Sequence, residues 1–469
     1  MSYISKRVNL NLLIAILILS YVSIFFTKSN LFADEAQYWF WSTSLDAGYY
    51  SKPPAIAWLI YVSSKLLGNS EFAIRFFSPL LYFITSFMIR VIALRLANLP
   101  TAKLAQLIFL TLPITSVAMQ IISTDALLLL FWALSLWIFI KLIETNDWFY
   151  TLYLGLSFGL GMLSKYSMVI SVVCVLMWLI TTGKFNKYFI KLFVSSIIAF
   201  LVFLPNLLWN LEHNLVSFMH TYHVAKLNTF NFKWLKFLEF VGGQVVALGI
   251  VSIYPLVKLL QHRSNANDEN KIALLIIICA ITPMVIFAML SLISGANINW
   301  TAPSFIAIAI LIAKGMNLLS LNRQRIIIYF NILIFLIIKI LFILNLNALP
   351  GLNRLYGWKE VGREITQLHQ QFNLPIMIDD RKLLSWCLYY SSMPKNLIYK
   401  HNFHEVLDHY DLAMPFHKSA YKQFLFISVN PNYHLLRGFN NPRIVSYETE
   451  ITNPFNPRSK FYVYQTARE

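Results

Sequence analysis

The sequence predicts a polytopic α-helical membrane protein followed by a small soluble α/β unit, and three observations carry that prediction. Of the 469 residues, 58% are apolar and 13% charged, whereas a soluble globular chain is about a quarter charged. Apolar runs of about 20 residues, each long enough to cross a hydrocarbon core about 30 Å thick, recur from the N-terminus to about residue 348. Beyond Pro350-Gly351 the composition turns, and the last 119 residues carry 14 Lys and Arg and 10 Asp and Glu. Together these exclude a soluble enzyme, a disordered chain and a fibrous repeat.

Eleven runs read as candidate spans, at about 8–27, 73–95, 103–122, 126–143, 148–163, 167–182, 188–208, 235–260, 271–293, 301–319 and 326–348. The first has no small-residue cleavage site and reads as a retained helix. An odd count puts the termini on opposite sides. With the N-terminus inside, the cytoplasmic segments hold fifteen Lys and Arg and the opposite loops eight, so the positive-inside rule predicts a cytoplasmic N-terminus and an external tail. The net charge of +17 has the same origin, basic loops beside anionic lipid, and calls for no nucleic acid. Cys174 and Cys279 lie inside apolar runs and Cys387 stands alone, so the cysteines form no disulfide framework.

The first outer loop, about 28–72, is too aromatic for a solvated loop, with Tyr38, Trp39, Phe40, Trp41, Tyr49, Tyr50, Trp58 and Tyr61. Amphipathic rings settle at the membrane surface, which predicts short interfacial helices there. A second outer loop, about 209–234, is rich in histidine and aromatics, and a third reads SGANINW at 294–300. The chain therefore divides into a membrane domain, 1–349, and a soluble domain, 350–469. In the latter, GWKEVGREITQLHQQF has helical apolar spacing, while LPIMID, FLFISV, RIVSYE and KFYVYQ read as strands. The sequence holds no internal repeat, glycine-rich phosphate loop or metal-finger spacing.

Charge beside hydrocarbon is costly and marks candidate functional positions. Asp34 and Glu35 follow the first span in FADEAQYWFW. Adjacent carboxylates at a helix mouth suit a general base, a metal ligand or an orienting group, and equally suit plain capping of the next helix. Lys52 precedes Pro53-Pro54 in YYSKPP, where two prolines stiffen the backbone and present the ammonium as a point charge for a phosphate; an ordinary headgroup lysine is the alternative. Asp125, in STDALLLLFWAL, stands at the outer mouth of the fourth run, as a cavity carboxylate or a first-turn acid. Lys165 and Tyr166 occupy an outer turn in GMLSKYS, and Asn299 and Trp300 precede Pro303 in NINWTAP. Each has a bland reading as a turn or belt residue, yet all five motifs fall on the face that carries the soluble tail.

These motifs, DEAQYWFW with YYSKPP, then STDALLLLFWAL, GMLSKYS and NINWTAP, resemble the bacterial GT-C glycosyltransferases, the group of the aminoarabinose transferases of lipid A (ArnT) and the protein O-mannosyltransferases. The resemblance runs in order over roughly residues 1–320. It implies a GT-C-like membrane domain that takes a sugar from a polyprenyl-phosphate carrier at the outer face of the bacterial inner membrane and passes it to an envelope acceptor, lipid A first, protein or another glycan otherwise. It implies Asp34 as the catalytic first-loop aspartate, with Glu35 beside it, and Asp125 as the second acid of the cavity. Lys52, with Lys165, would hold the carrier phosphate, while Tyr49, Tyr50, Tyr166, Asn299 and Trp300 would line the cavity. It fixes no cofactor and leaves a divalent metal open. Ser51 stands before Lys52 where the aminoarabinose transferases carry Glu, and the spans are fewer, so the sugar and acceptor stay open.

The main rival is a transporter or lipid flippase, which places substrate charges near the bilayer midplane and shows internal repeats. Here Lys339 is the one charge deep in a run, and the acids gather at one mouth.

Overall fold

The structure is a computed structural model and describes residues 8–225, 232–262, 270–344, 353–401, 406, 408–414, 423–431 and 442–468. The domain boundary expected at 349/350, and Lys6, Arg7, Lys226 and Arg263 of the charge tally, lie outside the described residues.

Helix α1 (Leu10–Phe26) leads to two short helices, α2 (Ala33–Ser42) and α3 (Ala55–Leu67), at the place where the aromatic loop predicted interfacial helices. The body continues with α4 (Glu71–Arg75), α5 (Phe77–Ala93), α6 (Leu99–Thr111), α7 (Pro113–Ala118), α8 (Thr124–Thr145), α9 (Trp148–Ser164), α10 (Val169–Thr181), α11 (Phe185–Glu212) and α12 (Val216–Ala225). It closes with α13 (Trp234–Leu248), α14 (Ile250–Gln261), α15 (Asn270–Ile293), α16 (Ser304–Met316) and α17 (Leu321–Ile343). One large apolar core unites α5, α6, α8, α16 and their neighbours.

Every predicted run is helical over most of its described residues, but length alone does not make eleven spans. Among the described residues, five helices are long and apolar enough to cross a membrane, or six if α13 and α14 count as one. Others are shortened by breaks. Pro113 starts α7 and ends the run of α6, because proline lacks the donor that the α6 ladder would need and restricts the residue before it. The run at 235–260 bends by 93° between α13 and α14. Gly249 makes that corner at φ +75°, a conformation that costs a side-chain-bearing residue energy.

The soluble unit contains α18 (Trp358–Phe372), α19 (Arg381–Tyr390) and α20 (His409–Ala413) around a five-stranded sheet. Its strands are β1 (Ile376–Ile378), β2 (Ile398–Lys400), β3 (Gln423–Ser428), β4 (Pro442–Thr452) and β5 (Lys460–Arg468), in the order β2-β1-β3-β5-β4. β1 runs parallel to β2 and β3, and β5 pairs antiparallel with β3 and β4. The four predicted strands and the predicted helix are present; β2, α19 and α20 are additional.

This unit is locked onto the first outer loop. Trp39, Trp41, Ile56 and Ile74 share one buried core with Trp358, Leu384 and Ile427. The Trp386 indole donates to Leu31 O at 2.8 Å, and the Tyr390 hydroxyl lies 2.6 Å from both Leu31 N and Glu71 Oε1. α19 is thereby held against the segment that leads into α2, the helix of the Asp34-Glu35 pair.

Candidate active site

The two adjacent carboxylates take different environments. Glu35 is fully buried: it accepts from Phe32 N at 2.8 Å and Ile122 N at 2.9 Å, and the Arg75 guanidinium grips it at 2.7 and 3.0 Å. That carboxylate closes the first turn of α2 and ties it to α4 and to the approach to α8. Its oxygens are spent on structure, so the expected catalytic place beside Asp34 is not where it stands. Asp34, one residue earlier and so about 100° around the helix, keeps 45% of its side chain exposed. Its one ion pair runs at 3.4 Å to Arg381 Nη1, a residue of α19, and the same guanidinium donates to Gln37 Oε1.

Lys52 is presented from a narrow backbone bridge in which Tyr49 N donates to Lys52 O at 3.2 Å and Lys52 N to Tyr49 O at 3.4 Å. Pro53-Pro54 then leads into α3. Among the described residues its ammonium makes no hydrogen bond or ion pair. Burial is the main force on it, and with the neighbouring Lys165 it lowers the ammonium pKa to about 8 against the pull of Asp34 and Asp125. Groups from three other motifs thus act on one point.

The opposite wall is built by α8. Asp125, in its first turn and 4% exposed, is flanked by Lys165 Nζ at 2.5 Å and Asn299 Nδ2 at 2.7 Å. Residues 125, 165 and 299, read from three distant motifs, therefore meet in one cluster. Tyr166 donates instead to Asn206 Oδ1 at 3.1 Å and packs beside Phe218. Tyr50 rests edge-on to His220 at 5.1 Å. The imidazole of His220 is pushed down to about 4 by burial and by the charges of Lys52 and Arg381, so it is neutral and close to the same cavity.

Two expected cavity residues are placed elsewhere. Trp300 packs edge-on against Phe287 in the apolar core, 5.6 Å between rings. Tyr49 is buried on the far face of its bridge, stacked 4.7 Å from Trp41 with its hydroxyl donated to backbone carbonyls. Sequence reasoning missed Arg381, Gln37, His220 and Tyr38, whose phenol lies buried in the field of Asp34 and Asp125. Only Tyr38 and Gln37 carried a local signal, as residues one turn after Asp34 on the same helix.

A divalent metal would need several oxygen ligands. Both Asp125 oxygens are already taken, and among the described residues no three His, Cys, Asp or Glu side chains gather. Among the described residues the site therefore offers no ready set of three such side chains to a metal ion.

The same fold and related sequences occur in known proteins. Over 97% of each chain, the fold superimposes on ArnT from Cupriavidus metallidurans, with TM-scores of 0.71 for its apo structure and 0.70 for its complex with undecaprenyl phosphate, at 13% identity. The chain has the GT-C fold of the ArnT-like glycosyltransferases. Residues 51–209 of this GT-C chain match the dolichyl-phosphate-mannose-protein mannosyltransferase family. In sequence it is 27% identical over 401 residues to the lipid A galacturonosyltransferase RgtD of Rhizobium johnstonii, covering 82% of this chain and 83% of that protein. The lipopolysaccharide core galacturonosyltransferase RgtA of the same organism is 27% identical over 208 residues, 44% of this chain and 42% of that one.

Proposed function

We propose that this multi-pass membrane protein transfers a sugar from a polyprenyl-phosphate carrier to lipid A or another lipopolysaccharide acceptor at the periplasmic face of the bacterial inner membrane. The observation that carries the reading is the Lys52 ammonium: without a partner among the described residues, drawn in from solvent, and in the field of Asp34 and Asp125. A lysine so placed is a ready counter-ion for a phosphate. The undecaprenyl phosphate complex of the ArnT fold and the lipid A acceptor in the RgtD name support the same donor and acceptor classes.

The chemistry follows from these charges. An acceptor oxygen attacks the anomeric carbon while the bond from that carbon to the carrier phosphate oxygen breaks and its electron pair stays on the phosphate. Lys52 neutralises the growing charge, with Lys165 held in reserve behind Asp125. Asp34 takes the proton when the acceptor is a hydroxyl, and orients it when the acceptor is a phosphate, which has no proton to lose. Direct displacement inverts the anomeric centre. Arg381 and Gln37 hold the Asp34 side of the cavity, and Asn299 holds Asp125.

The test uses purified protein in detergent with a polyprenyl-phosphate sugar and lipid A, where no membrane separates two compartments. Covalent transfer is expected, and Lys52→Ala should lower it at least tenfold, since a charge-assisted contact is worth roughly 1.5–3 kcal/mol. Transport has no product in that assay, so absence of transfer with several donors and acceptors would favour a flippase. Orientation is checked separately: reporter fusions after Lys191 should report cytoplasm and fusions at the C-terminus the outside, as the fifteen-to-eight charge asymmetry requires.

A further inference from the structure

The bridge that presents Lys52 is clamped from behind by side chains that carry no charge. Residues 46–52 form neither helix nor strand, and such a segment keeps its course only where its polar groups find fixed partners. Three donors from α11 and α12 supply them. Asn206 Nδ2 donates to Ala47 O at 2.8 Å, the Trp209 indole to Asp46 Oδ2 at 2.7 Å, and Ser217 Oγ to Tyr49 O at 2.7 Å. Gly48 lies so close to α11 that a Cβ there would run into the Trp209 ring and the Asn206 amide, so segment and helix meet with no side chain between them.

Asn206 is fully buried, and its amide is used at both ends: while Nδ2 reaches Ala47 O, Oδ1 accepts from the Tyr166 hydroxyl at 3.1 Å. The carbonyl of Ala47 demands a donor, which fixes the end of the amide that faces Tyr166. Tyr166 is the residue after Lys165, whose ammonium pairs with Asp125. One asparagine thus ties the segment that carries Lys52 to the turn that carries Lys165. Asn210, one helical turn on and equally buried, closes the path. Its Nδ2 donates to Asn206 O at 3.0 Å and its Oδ1 accepts from Ser217 N at 3.2 Å, and Ser217 is the residue that holds Tyr49 O. A buried polar network satisfied in this way rigidifies the elements it joins.

We propose that Asn206, backed by Asn210 and Ser217, is a positioning residue that sets the spacing of Lys52 and Lys165 around the donor phosphate. It acts through the backbone at Ala47 and through the Tyr166 hydroxyl, not on the substrate. Naming the phosphate rests on the transferase reading above; the coupling of the two lysine segments does not. A rigid spacing keeps the Lys165 charge acting on Lys52 in the free protein, and an anion bound at Lys52 relieves that repulsion.

The test reads the Lys52 charge directly, in the full-length protein in detergent, through the pH dependence of Lys52 acetylation by acetic anhydride, followed by peptide mass spectrometry. The wild-type midpoint should fall at about 8. Asn206→Ala frees the segment from α11, exposes the ammonium and moves it from Lys165, so the midpoint should rise by about one pH unit towards the ordinary 10.5. Tyr166→Phe keeps the ring beside Phe218 and removes only the hydroxyl. It and Ser217→Ala should shift the midpoint the same way by less, while Ser217→Thr, which retains the donor, should leave it in place. These two milder variants decide the question if Asn206→Ala fails to fold. A midpoint unmoved in both, or moved equally by Leu208→Ala on the exposed side of α11, overturns the positioning role. In transfer assays Asn206→Ala should lower kcat about ten- to a hundredfold, the cost of a misplaced group, with KM for lipid A unchanged; a change confined to that KM also overturns it. If the wild type transfers nothing, the transferase reading fails while the acetylation profile still decides the spacing.

Discussion

Asp34 and Glu35 are chemically near-identical neighbours on one helical turn, and the fold gives them opposite tasks. Glu35 meets Arg75, two backbone amides and no solvent, an ion pair complete in itself. Among the described residues, Asp34 meets a single guanidinium at 3.4 Å and acts on an ammonium that has no partner of its own. A closed pair of charges stabilises and has nothing left to offer a substrate. An open set of charges is left incomplete by the protein and is completed by a ligand. The difference lies in the partners supplied from α4 and α19, far along the chain, and not in the acids themselves.

The contrast is broken most directly by amide substitution at each position. Asp34→Asn should cost about 10² to 10⁴ in transfer, the usual worth of a positioned acid–base group, with no change in thermal unfolding. Glu35→Gln should do the reverse. It leaves the Arg75 charge buried without its counter-ion, a loss of roughly 3–5 kcal/mol in stability, read as a lowered unfolding temperature and poor recovery from the membrane. If Glu35→Gln folded normally and only transfer fell, the structural role of Glu35 would be wrong.

How much of this was legible in the sequence follows from where each partner comes from. Asp34, Lys52, Asp125, Lys165 and Asn299 sit in short motifs with helix mouths, prolines or turns around them; the structure joins Asp125 to Lys165 and Asn299 and brings Lys52 within the field of Asp34, Asp125 and Lys165. The division of labour within Asp34-Glu35 was not legible, because Arg75 stands 40 residues away in an unremarkable FAIRFF. Arg381 is the first residue of a helix in the soluble unit, where a basic residue before an apolar run signals nothing about a membrane site. Tyr49 and Trp300 were grouped with the cavity because they adjoin its motifs, but neighbours in an extended segment face opposite ways, and Trp300 follows Asn299 into a tight turn that directs it to the core. The corner at Gly249 was hidden for a similar reason: one glycine in an apolar run does not announce a bend of 93°.

The open half of the comparison also carries a pH signature. The Lys52 ammonium titrates at about 8 in the free protein, below its ordinary 10.5, because burial and the nearby Lys165 disfavour its charge. It is therefore cationic below that pH and neutral above it. The kcat/KM for the polyprenyl-phosphate donor should fall about tenfold per pH unit above about 8 and be level below, until carboxylates protonate. Lys52→Arg, which stays charged throughout, should remove the alkaline limb while lowering the plateau. An alkaline limb that persists in Lys52→Arg would assign the titration to another group.

The smallest expected effect belongs to Arg381, the link between the soluble unit and the open carboxylate. Its pair with Asp34 is long, 3.4 Å, and the two side chains keep 34% and 45% of their surface exposed, so water and salt screen it and the pair is worth about 0.2–1 kcal/mol. Arg381→Gln should accordingly lower kcat/KM by no more than about fivefold, with the unfolding temperature unchanged because α19 is held by Leu383, Leu384 and Trp386 in the shared core. Arg381→Lys should recover part of that loss, since it restores the charge but not the fork that also engages Gln37. Raising the salt should shrink the gap between wild type and Arg381→Gln, as it does for any exposed pair. A loss of a hundredfold or more, insensitive to salt, would mean that Arg381 touches the substrate itself, and the open side of the site would then be built as much by the soluble unit as by the membrane domain.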